Sequence, residues 1–293
     1  GPHMWQGSMY YFDPSSYLVV KNDYRVPAGS DRGYLLGKDG RALTGVQKWQ
    51  GTFYYFDPAT YLLSKENYVK SQWGDWYMVG NDGRIVSGPY KWQGTWYFFD
   101  ESSYLLVKNS SRTIGKATYG MNSNGVITSV INDELAISQR PELPTGCEMT
   151  AVTMMLQYAG INITKEQVAN ETPRSSNPYY GFVGNPYSNY GYGLWVAPSG
   201  ISSVVSRYLG RSLNMTGCSL NAIQNQLINR HLVVAWQAHM HGFGTHAITL
   251  TGFNNSGFYY NDPWTGEKNA FMTYGTFEIN WHDDPASRGA LSY

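Results

Sequence analysis

Two cysteines, Cys147 and Cys218, are the only thiols in the 293-residue chain. Cys147 follows Leu143-Pro144-Thr145-Gly146 and opens a run in which Met149, Val152, Leu156 and Ala159 recur at helical spacing. Gly160 closes the run as a helix C-terminus does. The spacing predicts a helix of about 13 residues with Cys147 in its first turn. A helix N-terminus carries about half a positive charge and stabilises a thiolate, the nucleophilic form of Cys. The same position also suits a small buried apolar residue, as free Cys commonly is. Placement alone leaves both readings open.

A nucleophilic Cys needs a base, and His is the usual one. His246 follows the turn Gly242-Phe243-Gly244-Thr245 and opens the apolar run Ala247–Phe253, so it stands at a strand end beside a loop. Asp262 ends the next strand-like run, after the turn Asn254-Asn255-Ser256-Gly257. Antiparallel pairing of those two strands can put Asp262 beside His246, where a carboxylate fixes the imidazole tautomer. Asn261 is the adjacent competitor; alternate strand residues face opposite ways, so only one of the two serves, and Asp262 is favoured. His239 and His241 have the His-x-His spacing of some metal sites, but no third His or acid of matching register stands near them in sequence, so no metal is expected. His231 and His282 read as helix-end or surface residues. A Cys147–Cys218 disulfide is possible and would remove the nucleophile.

The elements that must hold these side chains follow from local signals. Thr164-Lys165-Glu166-Gln167 is a capping box opening a short helix. Residues 173–198 are rich in Pro, Gly, Asn and Tyr and predict a long loop, of the kind that is usually functional. Its rings Tyr179, Tyr180, Tyr187, Tyr190, Tyr192 and Trp195 either shape a substrate groove or simply cover the surface. Helices are expected over Pro198–Leu209 and Ser219–Asn229, the second with Ser219 as N-cap. Strands are expected over Leu232–Gln237, Ala247–Phe253, Phe258–Asn261 and Ala270–Thr273. Helices first and antiparallel strands after them indicate an α+β domain.

The first 130 residues differ in kind. Trp5-Gln6-Gly7 recurs as Trp49-Gln50-Gly51 and Trp92-Gln93-Gly94, 44 and 43 residues apart, each followed by an aromatic run ending in Asp. A looser unit alternates with it, centred on Lys38-Asp39-Gly40, Asn81-Asp82-Gly83 and Ser123-Asn124-Gly125. Asp-Gly and Asn-Gly between short apolar runs predict hairpins, because both turn residues must tolerate positive φ. Lone hairpins are marginal in water, so an array of them must share an aromatic core. Most rings then belong to that core. Others can line grooves and stack on sugars or hold a cation, and Trp49, Tyr54, Trp76, Trp92, Trp96 and Tyr97 are the candidates.

Composition narrows the partners. Lys plus Arg and Asp plus Glu number 21 each, for a formal net charge of zero, so no basic field exists to collect nucleic acid. Only 14% of residues are charged and 16% are aromatic, which excludes a disordered chain. No apolar run is long enough to span a bilayer. The opening Gly1-Pro2-His3-Met4 reads as the remnant of a cleaved tag and is set aside; no signal peptide follows it.

The run Gln139…Leu143-Pro144-Thr145-Gly146-Cys147-Glu148 with its Met- and Leu-rich helix resembles the C39-like family of papain-fold cysteine peptidases. So do Gly181-Phe182-Val183-Gly184-Asn185-Pro186, the strand after Gly244-Thr245-His246, and Asn261-Asp262-Pro263. The resemblance implies that Cys147 attacks a carbonyl carbon, that His246 moves its proton, and that Asp262 orients His246. It also implies that the Gln139 side-chain amide and the Cys147 backbone N–H stabilise the oxyanion. No cofactor is implied. The repeats resemble the choline-binding and glucan-binding repeats of Gram-positive surface proteins. The Gly-Trp pair that opens a choline-binding unit is absent, and Gly74 follows Trp73 instead. Choline-bearing teichoic acid, glucan or another wall polymer therefore stand as ligands.

Together these readings give two domains: an all-β array of stacked aromatic hairpins over 5–130 and an α+β papain-like domain over 131–293. The expected protein is a secreted, cell-wall-associated cysteine hydrolase acting on a peptide or amide bond, with peptide or peptidoglycan as substrate. Two rivals are a silent binding or adhesion protein, and a peptidase of host or competitor proteins that uses the repeats only as an anchor.

Overall fold

Each Trp-Gln-Gly segment reverses the chain in two residues. Gln6, Gln50 and Gln93 have φ of 47°, 47° and 48°, and Gly7, Gly51 and Gly94 after them 74°, 84° and 83°. Two successive positive φ angles make the type I′ turn, whose twist matches that of paired strands; Gly takes the second position without a Cβ clash. The computed structural model describes residues 1–293. They form two units: Gly1–Ser110 with Met121–Val126, and Ser111–Gly120 with Ile127–Tyr293.

In the first unit the strands pair two by two, all antiparallel. β1 (Pro2–Trp5) pairs with β2 (Ser8–Tyr11), β3 (Asp23–Arg25) with β4 (Tyr34–Leu36), and β5 (Gly45–Trp49) with β6 (Thr52–Phe56). β7 (Asn67–Lys70) pairs with β8 (Trp76–Val79), and β9 (Gly88–Trp92) with β10 (Thr95–Phe99). Single bridges from Tyr10 to Arg41, Tyr54 to Arg84 and Tyr97 to Val126 tie each Trp-Gln-Gly hairpin to the Asp-Gly or Asn-Gly segment after it. Tyr11, Val20, Tyr34, Leu36 and Ala42 form one buried cluster, and Val46, Tyr55, Val69, Val79 and Ile85 another a period later. Leu35, Phe56 and Leu63 form a third. A fully buried side chain such as Phe56 contributes about 1.5–3 kcal/mol, which a lone hairpin cannot collect.

Two expectations need correcting here. At the Asp-Gly turns only the glycine has positive φ, 88° at Gly40 and 83° at Gly83. Asp39 and Asp82 instead accept the N–H two residues on, from Arg41 and Arg84 at 3.1 and 3.0 Å, so they close Asx turns and the I′ turns fall at Gln-Gly. Residues 1–4, set aside above, supply most of β1. Ladder hydrogen bonds come from the backbone, so this edge strand forms with every side chain exposed.

The second unit is built on a nine-stranded sheet. It opens with β11 (Ser110–Ile114), β12 (Ala117–Met121) and β13 (Ile127–Asn132). Three helices follow, α1 (Cys147–Tyr158), α2 (Lys165–Glu171) and α3 (Pro198–Leu209). Then come β14 (Leu213–Asn214), α4 (Leu220–Ile228), β15 (Val233–Trp236), β16 (Ala247–Phe253), β17 (Gly257–Asn261), β18 (Ala270–Thr273), α5 (Tyr274–Asp283) and β19 (Ala290–Ser292). The strand order is β11–β12–β13–β16–β15–β19–β14, with β17 on β16 and β18 on β17.

α1 is buried on all faces from Cys147 to Leu156, not on one stripe. It packs on β16, which is buried throughout. The helix hydroxyls are satisfied in place, since Thr150 and Thr153 donate to Gly146 O and Met149 O at 2.9 and 2.7 Å. Thr249 of β16 donates to Ala151 O at 2.9 Å and pins strand to helix. The Thr164–Gln167 capping box forms as expected, and Ser219 caps α4. α5, β14 and β19 were not anticipated. No helix is long and apolar enough to cross a membrane.

Candidate active site

The fold brings Cys147 to the first turn of α1 and His246 to the residue before β16. Gly146 makes the approach to Cys147 possible: a Cβ there would lie 2.7 Å from the Leu143 Cβ. His246 is held by its backbone, with Gln237 N donating to its carbonyl at 2.7 Å. Asp262 follows β17, whose Asn261 pairs with Thr249 of β16. That register carries Asp262 to His246, and His246 Nε2 lies 2.8 Å from Asp262 Oδ1. Asn261 faces elsewhere. Its side-chain amide donates to Glu134 O and accepts from Asn269 N, both at 3.0 Å.

Cys147 and His246 line one cleft of about 520 Å³, together with Gln139, Trp195, Phe243 and Trp264. Arg140 stacks on Trp264 at 4.2 Å and fixes that wall. Asp262 is buried, which raises its pKa, but the hydrogen bond and charge of His246, the bond to His241 and the Trp264 N–H outweigh burial and hold it at about 2. It is therefore an anion near neutral pH, able to orient an imidazole and stabilise an imidazolium.

The sulfur departs from the sequence expectation. Its position at a helix N-terminus favours a thiolate, yet burial and then the adjacent Glu148 carboxylate push its pKa well up. The Cys147 S–H donates to Glu148 Oε2 at 3.2 Å, while Val196 N donates to Glu148 Oε1 at 3.0 Å. Burial raises Glu148 itself to about 7. The backbone N–H of Ala247, next to His246, acts the other way and favours the thiolate. Burial and the Glu148 carboxylate together favour the protonated thiol over the thiolate. Both cysteines are free, so no disulfide blocks Cys147.

Gln139 is buried at the cleft wall. Its backbone N–H donates to Pro263 O at 2.8 Å, and its Nε2 donates to Pro144 O at 2.9 Å. An amide nitrogen carries two hydrogens and this bond uses one, while Gln139 Oε1 is buried without a partner.

Residues 131–285 match the model of the Peptidase_C39 like family. The chain belongs to the C39-like peptidase family. It is 29% identical over 171 residues to the uncharacterised protein YvpB of Bacillus subtilis (strain 168), covering 48% of this chain and 66% of that one, just under two thirds of its length. A crystal structure described as a C39-like peptidase from Bacillus anthracis is 27% identical, covers 55% of this chain and 97% of its own, and has a TM-score of 0.48. Choline binding protein F from Streptococcus pneumoniae, solved with a peptidoglycan analogue, is 22% identical over 43% of this chain and 40% of its own, with a TM-score of 0.35.

In the C39-like unit the sequence does not signal the role of Glu148, and it offers His241 only as a neighbour of His239, not as a partner of Asp262. Adjacent helical residues do not face one another by the usual spacing rules, so nothing flagged Glu148. His241 Nε2 lies 2.6 Å from Asp262 Oδ2, so one carboxylate serves two imidazoles. His239, its partner in the His-x-His spacing, goes instead to Asp283 at 3.0 Å. The loop over 173–198 is pinned at its neck, where Val183 and Leu194 exchange backbone bonds with Trp195 and Val183 at 3.0 and 2.9 Å. Of its rings Trp195 reaches the cleft, while Tyr180, Tyr190 and Tyr192 stand exposed.

Among the repeat rings, Trp49 and Tyr54 line one groove of about 490 Å³ with Tyr24, Asp23, Asp31 and Asp82. Trp76 stacks on Tyr68 at 5.4 Å, and Trp92 lies 6.3 Å from both Tyr68 and Tyr97. Trp96 is half-buried on β10 beside Tyr97.

Proposed function

We propose that this protein is a cysteine hydrolase that cleaves a peptide or amide bond, with Cys147 as nucleophile, His246 as base and Asp262 as the group that orients it. The observation that carries the reading is the cleft shared by Cys147 and His246, with the buried Asp262 anion 2.8 Å behind the imidazole. His246 takes the thiol proton as sulfur adds to the carbonyl carbon, and returns it to the leaving amine. The Cys147 backbone N–H and the free hydrogen on Gln139 Nε2 would receive the oxyanion; one such donor is worth about a hundredfold or more in kcat. Water then hydrolyses the thioester with His246 again as base.

The repeats would hold the enzyme on a wall polymer and raise its local concentration there. The groove at Trp49 and Tyr54 joins aromatic faces to Asp23, Asp31 and Asp82, which already face Arg25, Lys65 and Arg84, so its rings suit stacking on a sugar-rich ligand. Such a protein would work outside the cell, at the wall. Mass spectrometry of purified walls digested with wild type and Cys147→Ala tests the reading. New muropeptides from wild type alone are expected; equal products from both would place the cleavage on groups other than Cys147, and none from either on wall or peptide substrates would favour a silent binding module.

A further inference from the structure

We propose that His241, His246 and Asp262 form a site for a borderline transition-metal ion of the Zn²⁺ class, and that its occupancy silences the hydrolase. The sequence offers His239-x-His241 without a third ligand. The fold separates that pair and supplies His241 with a different set. His241 Nε2 and His246 Nε2 both aim at Asp262, 2.6 Å from Oδ2 and 2.8 Å from Oδ1. The three ligand atoms lie within 4.8 Å of one another.

Two imidazole nitrogens and one carboxylate oxygen make the three-ligand set of an open tetrahedral site, with the fourth position left to water. Zn–N and Zn–O bonds are about 2.0–2.2 Å, so small side-chain movements replace the hydrogen bonds by metal bonds. An outer hydrogen bond already orients the carboxylate, from Trp264 N to Oδ1 at 2.8 Å. His246 and Asp262 are buried, whereas the His241 side chain is 27% exposed and gives an entry path. Donors of this type suit zinc or copper, and hard cations such as Ca²⁺ or Mg²⁺ are disfavoured.

The consequence for chemistry follows from which nitrogen is taken. A metal on His246 Nε2 removes the Asp262 contact and puts a dication beside the ring. That ring can then no longer become a stabilised imidazolium, which the reaction needs. This inhibitory half rests on the hydrolase reading; the binding half does not.

The test is calorimetric titration of zinc chloride into the full chain carrying Cys147→Ala, which removes the thiolate as a competing ligand. His241→Gln and, as a control, His239→Gln are then added in that background. His239, Asp283 and His282 form an exposed trio that could bind zinc instead, with contacts of 3.0 and 3.1 Å. One ion per chain is expected, weakened at least about tenfold by His241→Gln and unchanged by His239→Gln. No binding, binding indifferent to His241→Gln, or loss only with His239→Gln overturns the site. Imidazole ¹⁵N spectra of the Cys147→Ala chain guard against a misfolded variant: zinc must move the His241 and His246 Nε2 signals together, and movement confined to other histidines refutes the proposal. In wild type, zinc must stop hydrolysis reversibly on chelation and do so less well in His241→Gln. Intact binding in a protein without activity sinks only the hydrolase; activity without binding sinks only the site.

Discussion

Replacing Glu148 by Gln should make Cys147 more reactive. Gln keeps the acceptor for Val196 N and places an N–H donor where Oε2 now faces the sulfur. In wild type, forming the thiolate puts two anions 3.2 Å apart. At an effective dielectric constant of about 20, that separation gives a repulsion of about 5 kcal/mol. Relaxation reduces this, but about 1.4 kcal/mol surviving is enough for a tenfold change in thiolate fraction. The effect must depend on pH in a specific way. Glu148 ionises at about 7, so its charge opposes the thiolate only above that. Iodoacetamide labelling of Cys147, followed by peptide mass spectrometry with Cys218 replaced by Ser, reads this directly. Glu148→Gln should label at least about tenfold faster than wild type near pH 8, and the gap should shrink below about pH 6. Equal or slower labelling of a folded Glu148→Gln protein at the higher pH would refute the assignment of Glu148 as the group that keeps the sulfur protonated.

Other outcomes follow from the same geometry. Burial raises Glu148 to about 7 and Asp284 to about 6, above their unfolded values, so the stability they contribute is full below about pH 4 and is lost as pH rises through 6 and 7. Asp262, held at about 2, contributes oppositely: its stabilisation is present above its unfolded value of 3.8 and is lost toward pH 2. Thermal melts should therefore show greatest stability in mildly acid solution, with an alkaline-side loss of about 3 kcal/mol per raised carboxyl that Glu148→Gln reduces; a melting temperature still rising from pH 5 to 8 would contradict this. Asp262→Ala should lower kcat by about a hundredfold or more by leaving the His246 tautomer and orientation unset, with KM little changed, as steady-state kinetics would report. Trp49→Ala and Trp92→Ala should weaken co-sedimentation with purified walls while leaving cleavage of a soluble peptide unchanged; undiminished sedimentation of both would remove those rings from wall binding.

Much of the C39-like unit was legible because its signals are local. The Thr164–Gln167 box, Ser219 before α4, and Pro198 opening α3 each act within one helical turn, and the observed helices begin there. The strand alternation that chose between Asn261 and Asp262 is likewise a two-residue effect, and the Asn261 amide is bonded away from His246. What escaped depends on tertiary contact. α5 buries only Phe277, Asn280 and Trp281, too sparse a stripe to register as a period. Glu148 gains its importance from burial, which no neighbour in sequence announces. His241 was noticed for a spacing to His239, but its partner Asp262 lies 21 residues away. The repeats are legible by period, but which dipeptide takes the I′ turn is not: the Asx bonds of Asp39 and Asp82 satisfy the Asp-Gly turns without a second positive φ.

Covalent chemistry at Cys147 can be caught in one measurement. Wall-derived peptides are mixed with wild-type protein, the reaction is quenched in acid, and the intact protein is weighed and mapped. The proposed mechanism predicts an acyl adduct on Cys147 that decays as product accumulates and fails to form in His246→Ala. Turnover with no adduct, persisting in Cys147→Ala, would place the reaction on other groups and contradict it.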